Sequence, residues 1–277
     1  MVAELGVRKG LHRLVFTRLN GVVMYGSVRE AGEVRPGTSD VSVAAFRRHL
    51  EYFVREYEVV DLPEALSGWG RGGGAKRVAL TFDDGHRDLY TTVRPLLHEF
   101  DVPATAFVVS GFLDDANPRE QVANVGRRYD ALTSEQVADL VDDPLVTVGN
   151  HTRTHHDLGR HHERDIVEAE VLGAKRDLEE RFGTTVDRFC YPDGRVNATS
   201  LDVVGRGHDV ATVGPSRRAL LDDEDPLLIP RVDGGASLER VAWRLSDLNA
   251  EFERLALTFG DADRGRPSTV EGEDGGP

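Results

Sequence analysis

The sequence predicts an α/β fold in which parallel strands close, or nearly close, into a barrel under a layer of helices. Short apolar runs alternate with amphipathic stretches of helical spacing, the alternation recurs roughly seven or eight times, and polar clusters stand where several of the runs stop. Strands separated by helices form parallel sheets. That number of repeats favours a barrel, with an open doubly wound sheet as the alternative. A length of 277 residues accommodates one such domain with modest extensions.

Residues 1–40 are expected to be an N-terminal extension packing on the barrel, and 41–260 the catalytic domain. The domain opens on a helix at 41–57, where Val43, Phe46, Leu50, Phe53, Val54 and Tyr57 recur at spacings near three and four and so share a face. A strand at 58–61 follows. Gly68 to Gly74 holds five glycines in seven residues, too flexible for the interior of an element, and reads as an exposed loop. The next run, Arg77-Val-Ala-Leu-Thr-Phe-Asp83, is β-rich and ends in acids. A helix at 88–100, a strand at 104–109, a helix opened by the capping box Thr133-Ser-Glu-Gln136 and a strand at 145–149 continue the pattern. A long amphipathic helix covers 163–182 and stops at Gly183. Runs at 187–191, 209–213 and 227–232 lead to a last helix at 238–257. Residues 261–277, rich in Gly, Asp, Glu, Pro and Arg, are expected to be a disordered acidic tail.

The net charge is −14, and Lys9, Lys76 and Lys175 are the only lysines, so no basic arm is available to embrace a phosphate backbone and nucleic acid is not an expected partner. A carboxylate-rich, lysine-poor surface stays hydrated in concentrated salt, which suits a halophilic host. The single cysteine, Cys190, can form no internal disulfide. Charged residues recur through the first thirty positions, and no apolar run approaches the roughly 18 residues of a membrane span. The expectation is a cytoplasmic protein, or one bound peripherally to a membrane; no oligomeric state is implied.

Three polar clusters follow apolar runs, the place where barrels of parallel strands carry their reacting groups. In Thr81-Phe-Asp-Asp-Gly-His86, neighbouring carboxylates repel, so a site that uses both divides them between cation ligand and base. The other reading is a turn and a helix cap before 88–100, with Gly85 left-handed. In Gly149-Asn-His-Thr-Arg-Thr-His155, two imidazoles four apart can face one ion if the chain makes a helical turn. His156, His161 and His162 nearby leave open a merely histidine-rich loop. One carboxylate and two imidazoles with an open position is the pattern of a catalytic rather than a structural metal site. In Phe189-Cys-Tyr-Pro-Asp-Gly194, Pro192 and Gly194 impose a tight turn that is either plain or aimed to present a backbone N–H to an oxyanion.

Thr81–Gly85 and His151–His155 resemble the first two motifs of the polysaccharide deacetylase family, also called the NodB homology domain or carbohydrate esterase family 4: T-F-D-D-G and H-(S/T)-x-x-H. Val102-Pro-Ala-Thr-Ala-Phe107 is similar to the family's strand after the first helix, and the resemblance runs from about residue 40 to 257. It implies a distorted (β/α) barrel of about seven parallel strands. It further implies that Asp84, His151 and His155 hold a divalent metal, zinc first among zinc, cobalt, nickel, manganese and iron. Asp83 would be the general base acting on the water that attacks, and the backbone N–H of Asp193 a donor to the tetrahedral oxyanion.

The chain departs from the family pattern in several places: Asp193 stands where many relatives carry a tyrosine, and the region around Tyr25 lacks the Tyr-His pair of many longer relatives. Cys190 stands where relatives carry an arginine that pairs with the base, and Arg231, in Leu228-Ile-Pro-Arg231, is the candidate to supply that charge from another strand. Residues 227–234 lack the histidine that protonates the leaving group in relatives, which leaves His86, His208, Asp233 or water for that step. The expected reaction is metal-dependent removal of an acetyl or similar acyl group from an N-acetylated sugar or glycan precursor. Two other readings stay open: hydrolysis of a non-sugar amide on the same fold, and a glycan-binding barrel that has lost turnover.

Overall fold

The computed structural model describes residues 19–66, 76–117, 130–216, 218–220 and 224–258. The expected glycine loop at 68–74 and tail at 261–277 lie outside the described residues. Ten strands are present among these: β1 (Gly21–Tyr25), β2 (Val28–Arg29), β3 (Val41–Ser42), β4 (Glu58–Val59), β5 (Arg77–Phe82), β6 (Ala104–Val108), β7 (Val146–Asn150), β8 (Arg188–Cys190), β9 (Val210–Ser216) and β10 (Ile229–Asp233). Seven of them close a parallel barrel in the order β1-β10-β9-β8-β7-β6-β5, with β5 returning to β1. The two-residue β4 adds to the start of β5 outside this ring, and β2 pairs with β3 apart from it.

The first barrel strand corrects one boundary. Residues 21–25 fall within the stretch expected to be an N-terminal extension, yet β1 is the strand that closes the barrel. Its five buried residues run in parallel register along β5, Val23 opposite Leu80 and Tyr25 opposite Phe82, and they also meet β10.

Period-two alternation sorts each strand between two cores. On β5, Val78, Leu80 and Phe82 pack against the helices, whereas Ala79 joins Val22, Phe107, Cys190 and Ile229 in a separate cluster. Thr81 continues that second set, donating its hydroxyl to the Val23 carbonyl at 3.1 Å. Asp83, two residues on, is therefore aimed over the same interior. Gly149 shows how tightly the interior fills: a Cβ there would lie 2.6 Å from the Phe107 ring.

The helices are α1 (Val43–Glu56), α2 (Leu62–Leu66), α3 (89–100), α4 (Ser134–Val141), α5 (164–182), α6 (Ala198–Gly205), α7 (Leu238–Arg244) and α8 (Asp247–Thr258). The Thr133–Gln136 capping box opens α4 as the sequence predicts. α3 begins with a π-turn at Leu89–Val93 and α5 contains one at Ala169–Gly173. α5 stops where Gly183 turns left-handed, at φ 64°. The single helix expected at 238–257 is two, broken at 245–246, where the Ser246 hydroxyl donates to the Trp243 carbonyl at 2.7 Å. Among the described residues no helix is long and apolar enough to cross a membrane.

Candidate active site

Asp83 and Asp84 follow directly on β5 and point to different surroundings. The Asp83 backbone N–H donates to the Tyr25 carbonyl at 2.9 Å, which ties the turn to β1. The Asp83 carboxylate receives a two-pronged guanidinium: Arg231 Nη1 lies 2.7 Å from Oδ1 and Nη2 2.8 Å from Oδ2. The rest of Arg231 is held as firmly. Nε donates to the Val213 carbonyl at 2.9 Å, Nη1 to the Thr81 hydroxyl at 3.1 Å and Nη2 to the Cys190 sulfur at 3.1 Å. Arg231 is 1 % exposed. Burial works against its charge, but the Asp83 carboxylate more than offsets this and raises the guanidinium further above its ordinary value. The arginine expected from position alone thus sits on the candidate base, with Cys190 beside both.

Asp84 takes a left-handed backbone, φ 72°, followed by Gly85 at φ 71°. That reversal turns its side chain away from Asp83 and toward the loop after β7. There Asp84 Oδ1 meets His151 Nε2 at 3.4 Å and His155 Nε2 at 3.3 Å, while His86 Nε2 stands 3.6 Å from Oδ2. Burial opposes the Asp84 charge, but hydrogen bonds from His151, His155 and His86 hold its carboxyl well below the usual carboxylate range.

The histidine pair is not presented by a helical turn, as the spacing alone suggested. Thr152 and His155 are both left-handed, at φ 66° and 56°, and fold the loop so that the two rings approach to 5.0 Å. Glu170 on α5 fixes the loop: its carboxylate accepts from the backbone N–H groups of Arg153 (3.1 Å) and Thr154 (2.9 Å) and from the Thr154 hydroxyl (2.9 Å). The His151 Nδ1–H donates to the Cys190 carbonyl at 2.8 Å, which fixes the tautomer and turns Nε2 to Asp84.

Two sets of side chains bring ligand-type atoms within 4.8 Å of one another: Asp84, His151 and His155; and Asp83, His151 and Cys190. Their surroundings separate them. In the second set a cation would have to share Asp83 and the Cys190 sulfur with the Arg231 guanidinium, an unfavourable juxtaposition of like charges. The first set is one carboxylate and two imidazole nitrogens, with the Asp84 side chain 24 % exposed to the pocket, and its donor chemistry fits a divalent ion.

The turn after β8 completes the floor. Asp193 is left-handed at φ 54°, and Gly194, at φ 66°, packs so closely on the next strand that a Cβ would lie 2.2 Å from the Gly214 nitrogen. Among the described residues the Asp193 backbone N–H has no hydrogen-bond acceptor. Asp193 lines a pocket of about 440 Å³ together with Asp83, Asp84, His86, His151, His155, Tyr191 and Arg231.

Of the groups considered for protonating the leaving group, only His86 lines this pocket. His208 is buried, with Nε2 accepting from the Asn150 amide at 3.1 Å and Nδ1–H donating to the Val204 carbonyl at 3.3 Å, so its role is structural. Asp233 Oδ1 accepts from the Gly235 N–H at 2.9 Å and caps the turn after β10. Sequence reasoning missed Arg35, Asp40, Tyr191 and Arg195, which also line the pocket. Arg195 directly follows the turn already singled out, a signal that was available. Arg35 and Asp40 come from a segment with no periodicity to mark it.

Residues 70–207 match the sequence profile of the polysaccharide deacetylase family. Over 201 residues the chain is 21 % identical to the poly-β-1,6-N-acetyl-D-glucosamine N-deacetylase of Staphylococcus aureus, covering 69 % of this chain and 67 % of that protein. The fold resembles the Streptococcus pyogenes deacetylase PplD, solved in complex with acetate (TM-score 0.68, 20 % identity, 83 % of this chain and 99 % of that one). It also resembles IcaB from Ammonifex degensii (TM-score 0.62, 22 % identity, 82 % and 99 %).

Proposed function

We propose, from the premise that this chain belongs to the polysaccharide deacetylase family, that it hydrolyses the N-acetyl or a similar acyl group of a sugar or glycan precursor. We further propose that a divalent ion held by Asp84, His151 and His155 assists. The observation that carries this reading is the approach of the two His Nε2 atoms to one Asp84 oxygen, at 3.4 and 3.3 Å, on the floor of a pocket that Asp83 shares. Bound there, the ion would supply Lewis acidity, polarising the acyl carbonyl and making water more acidic. The donor set suits zinc, with cobalt, nickel, manganese and iron as alternatives.

The remaining roles belong to the chain itself. Asp83 takes the proton from the attacking water as general base. Arg231 positions that base by gripping both carboxylate oxygens. The Asp193 N–H donates to the oxyanion as the carbonyl becomes tetrahedral. Asp83, having gained a proton, is placed to return it to the departing amine, so the histidine missing from 227–234 need not be replaced.

The test is acetate release from β-1,6-linked N-acetylglucosamine oligomers, the substrate class of the S. aureus relative, by ion-loaded protein, chelator-treated protein and Asp83→Asn. Release that depends on the ion and on Asp83 supports the reading. Release unaffected by chelation rejects the mechanism, and ion binding without release from any acylated sugar supports a glycan-binding barrel instead.

A further inference from the structure

Two walls of the pocket share an arrangement that deacylation of a neutral sugar does not need. On one wall Asp40, whose side chain is 1 % exposed, is approached by two guanidinium groups: Arg35 grips both its oxygens, with Nη2 2.7 Å from Oδ1, and Arg29 Nε stands 3.8 Å from Oδ2. On the other wall Asp157 is likewise shared. Arg195 Nη1 pairs with Asp157 Oδ2, and Arg160 Nε lies 3.3 Å from that same oxygen. Each of these clusters therefore pairs two guanidinium groups with one carboxylate, in a chain whose net charge is −14, and each sends one arginine, Arg35 or Arg195, to a pocket that Asp83, Asp84 and Asp193 also line.

Arg195 is the better placed to use its surplus. Its backbone N–H is fixed to the Pro192 carbonyl at 3.2 Å, and its Cβ occupies the space that a side chain at Gly159 would need, 2.7 Å from such a Cβ. Asp157, its anchor, is held in turn by the Gly159 N–H at 3.1 Å. Only Nη1 is committed to that anchor. Among the described residues Nε and Nη2 have no hydrogen-bond partner, and the side chain is 35 % exposed where it lines the pocket. The opposing charge in its own turn is Asp193, which also lines the pocket.

We propose that Arg195, with Arg35 lining the same pocket, recognises an anionic group carried by the substrate, so that the preferred substrate is a negatively charged acylated sugar rather than a neutral one. An arginine that lines a pocket with part of its donor set fixed and the rest uncommitted is pre-organised for a phosphate or carboxylate oxygen. This inference rests on the deacylase reading of the same site for its catalytic consequence, but not for binding.

The test compares three N-acetylated sugars: methyl N-acetylglucosaminide, N-acetylglucosamine 1-phosphate and N-acetylglucosaminuronic acid. Binding is measured by calorimetry on ion-free protein, and acetate release on ion-loaded protein. At least one anionic sugar is expected to bind about tenfold or more tightly than the neutral one, with the advantage shrinking as salt is added. Which anion prevails tells phosphate from carboxylate. Arg195→Gln should remove the advantage, Arg195→Lys should keep part of it, and neither should alter binding of the neutral sugar. A thermal melt confirms that each variant is folded. Equal binding of neutral and anionic sugars, or an advantage that survives Arg195→Gln in a folded variant, overturns the proposal. If Arg195-dependent binding is seen but no sugar releases acetate, the anion site stands and the deacylase reading falls. If acetate is released equally from all three and Arg195→Gln changes nothing, the deacylase reading stands and this inference falls.

Discussion

Asp83 and Asp84 are adjacent in the chain and have the same side chain, yet the fold treats them oppositely. Asp83 is enclosed: both of its oxygens are taken by a guanidinium at 2.7 and 2.8 Å, and the arginine that supplies it is 1 % exposed. Asp84 is open: its side chain is 24 % exposed and faces three imidazole nitrogens at 3.3 to 3.6 Å. The cause is backbone. Asp83 continues the inward alternation of β5, whereas Asp84 and Gly85 leave it through two left-handed residues. Two carboxylates that would repel on one face are thereby assigned separate partners, one the fixed cation of the chain and the other a set of imidazoles whose donor chemistry suits an exchangeable cation.

The comparison can be broken most sharply at Asp83. Asp83→Asn preserves shape but removes the proton acceptor, and kcat is expected to fall by about 10² to 10⁴ while calorimetry shows the divalent ion still binding. Loss of ion binding in this variant would mean that the two carboxylates act as one site. Next in size is the buried pair itself. Arg231→Met leaves Asp83 without its cation in the interior and is expected to cost about 3–5 kcal/mol of stability, read from urea unfolding. Adding Asp83→Leu should recover much of that loss without restoring turnover, because a well-packed apolar pair can replace a buried ion pair.

The smallest of these effects concerns imidazoles that are sealed in rather than facing the pocket. Burial lowers His208 and His49 to about 4. In the unfolded chain both take up a proton below their ordinary value of about 6.5, while the folded chain resists it. Stability contributed by their neutral forms is thus complete above about pH 6.5 and is lost as pH falls from there toward 4, by on the order of 1–3 kcal/mol each. Urea midpoints at pH 7 and pH 5 measure this, and His208→Gln should flatten the slope. An unchanged slope would show that His208 is not held neutral beneath Asn150.

Much of this was legible in the sequence because it is local. The run Arg77–Phe82 with acids at its end, the capping box at Thr133 and the stop at Gly183 each depend on a few neighbouring residues, and each stands where the pattern placed it. Arg231 could be singled out by its place near the end of a predicted strand. What failed was non-local. Gly21–Tyr25 is an apolar run of five whose identity as the closing strand exists only through pairing with β5 and β10. The fold of the His151–His155 loop depends on left-handed Thr152 and His155 and on Glu170 from α5, none of which the four-residue spacing expresses. The walls carrying Arg35 and Arg195 likewise join segments more than a hundred residues apart in the chain.

The claim on which the rest depends is tested most directly by calorimetric titration of chelator-stripped protein with zinc, comparing the parent chain with Asp84→Ala and Cys190→Ser. One ion per chain is expected, with binding lost in Asp84→Ala and retained in Cys190→Ser. Binding that survives Asp84→Ala but disappears in Cys190→Ser would place the ion among Asp83, His151 and Cys190 and contradict the account.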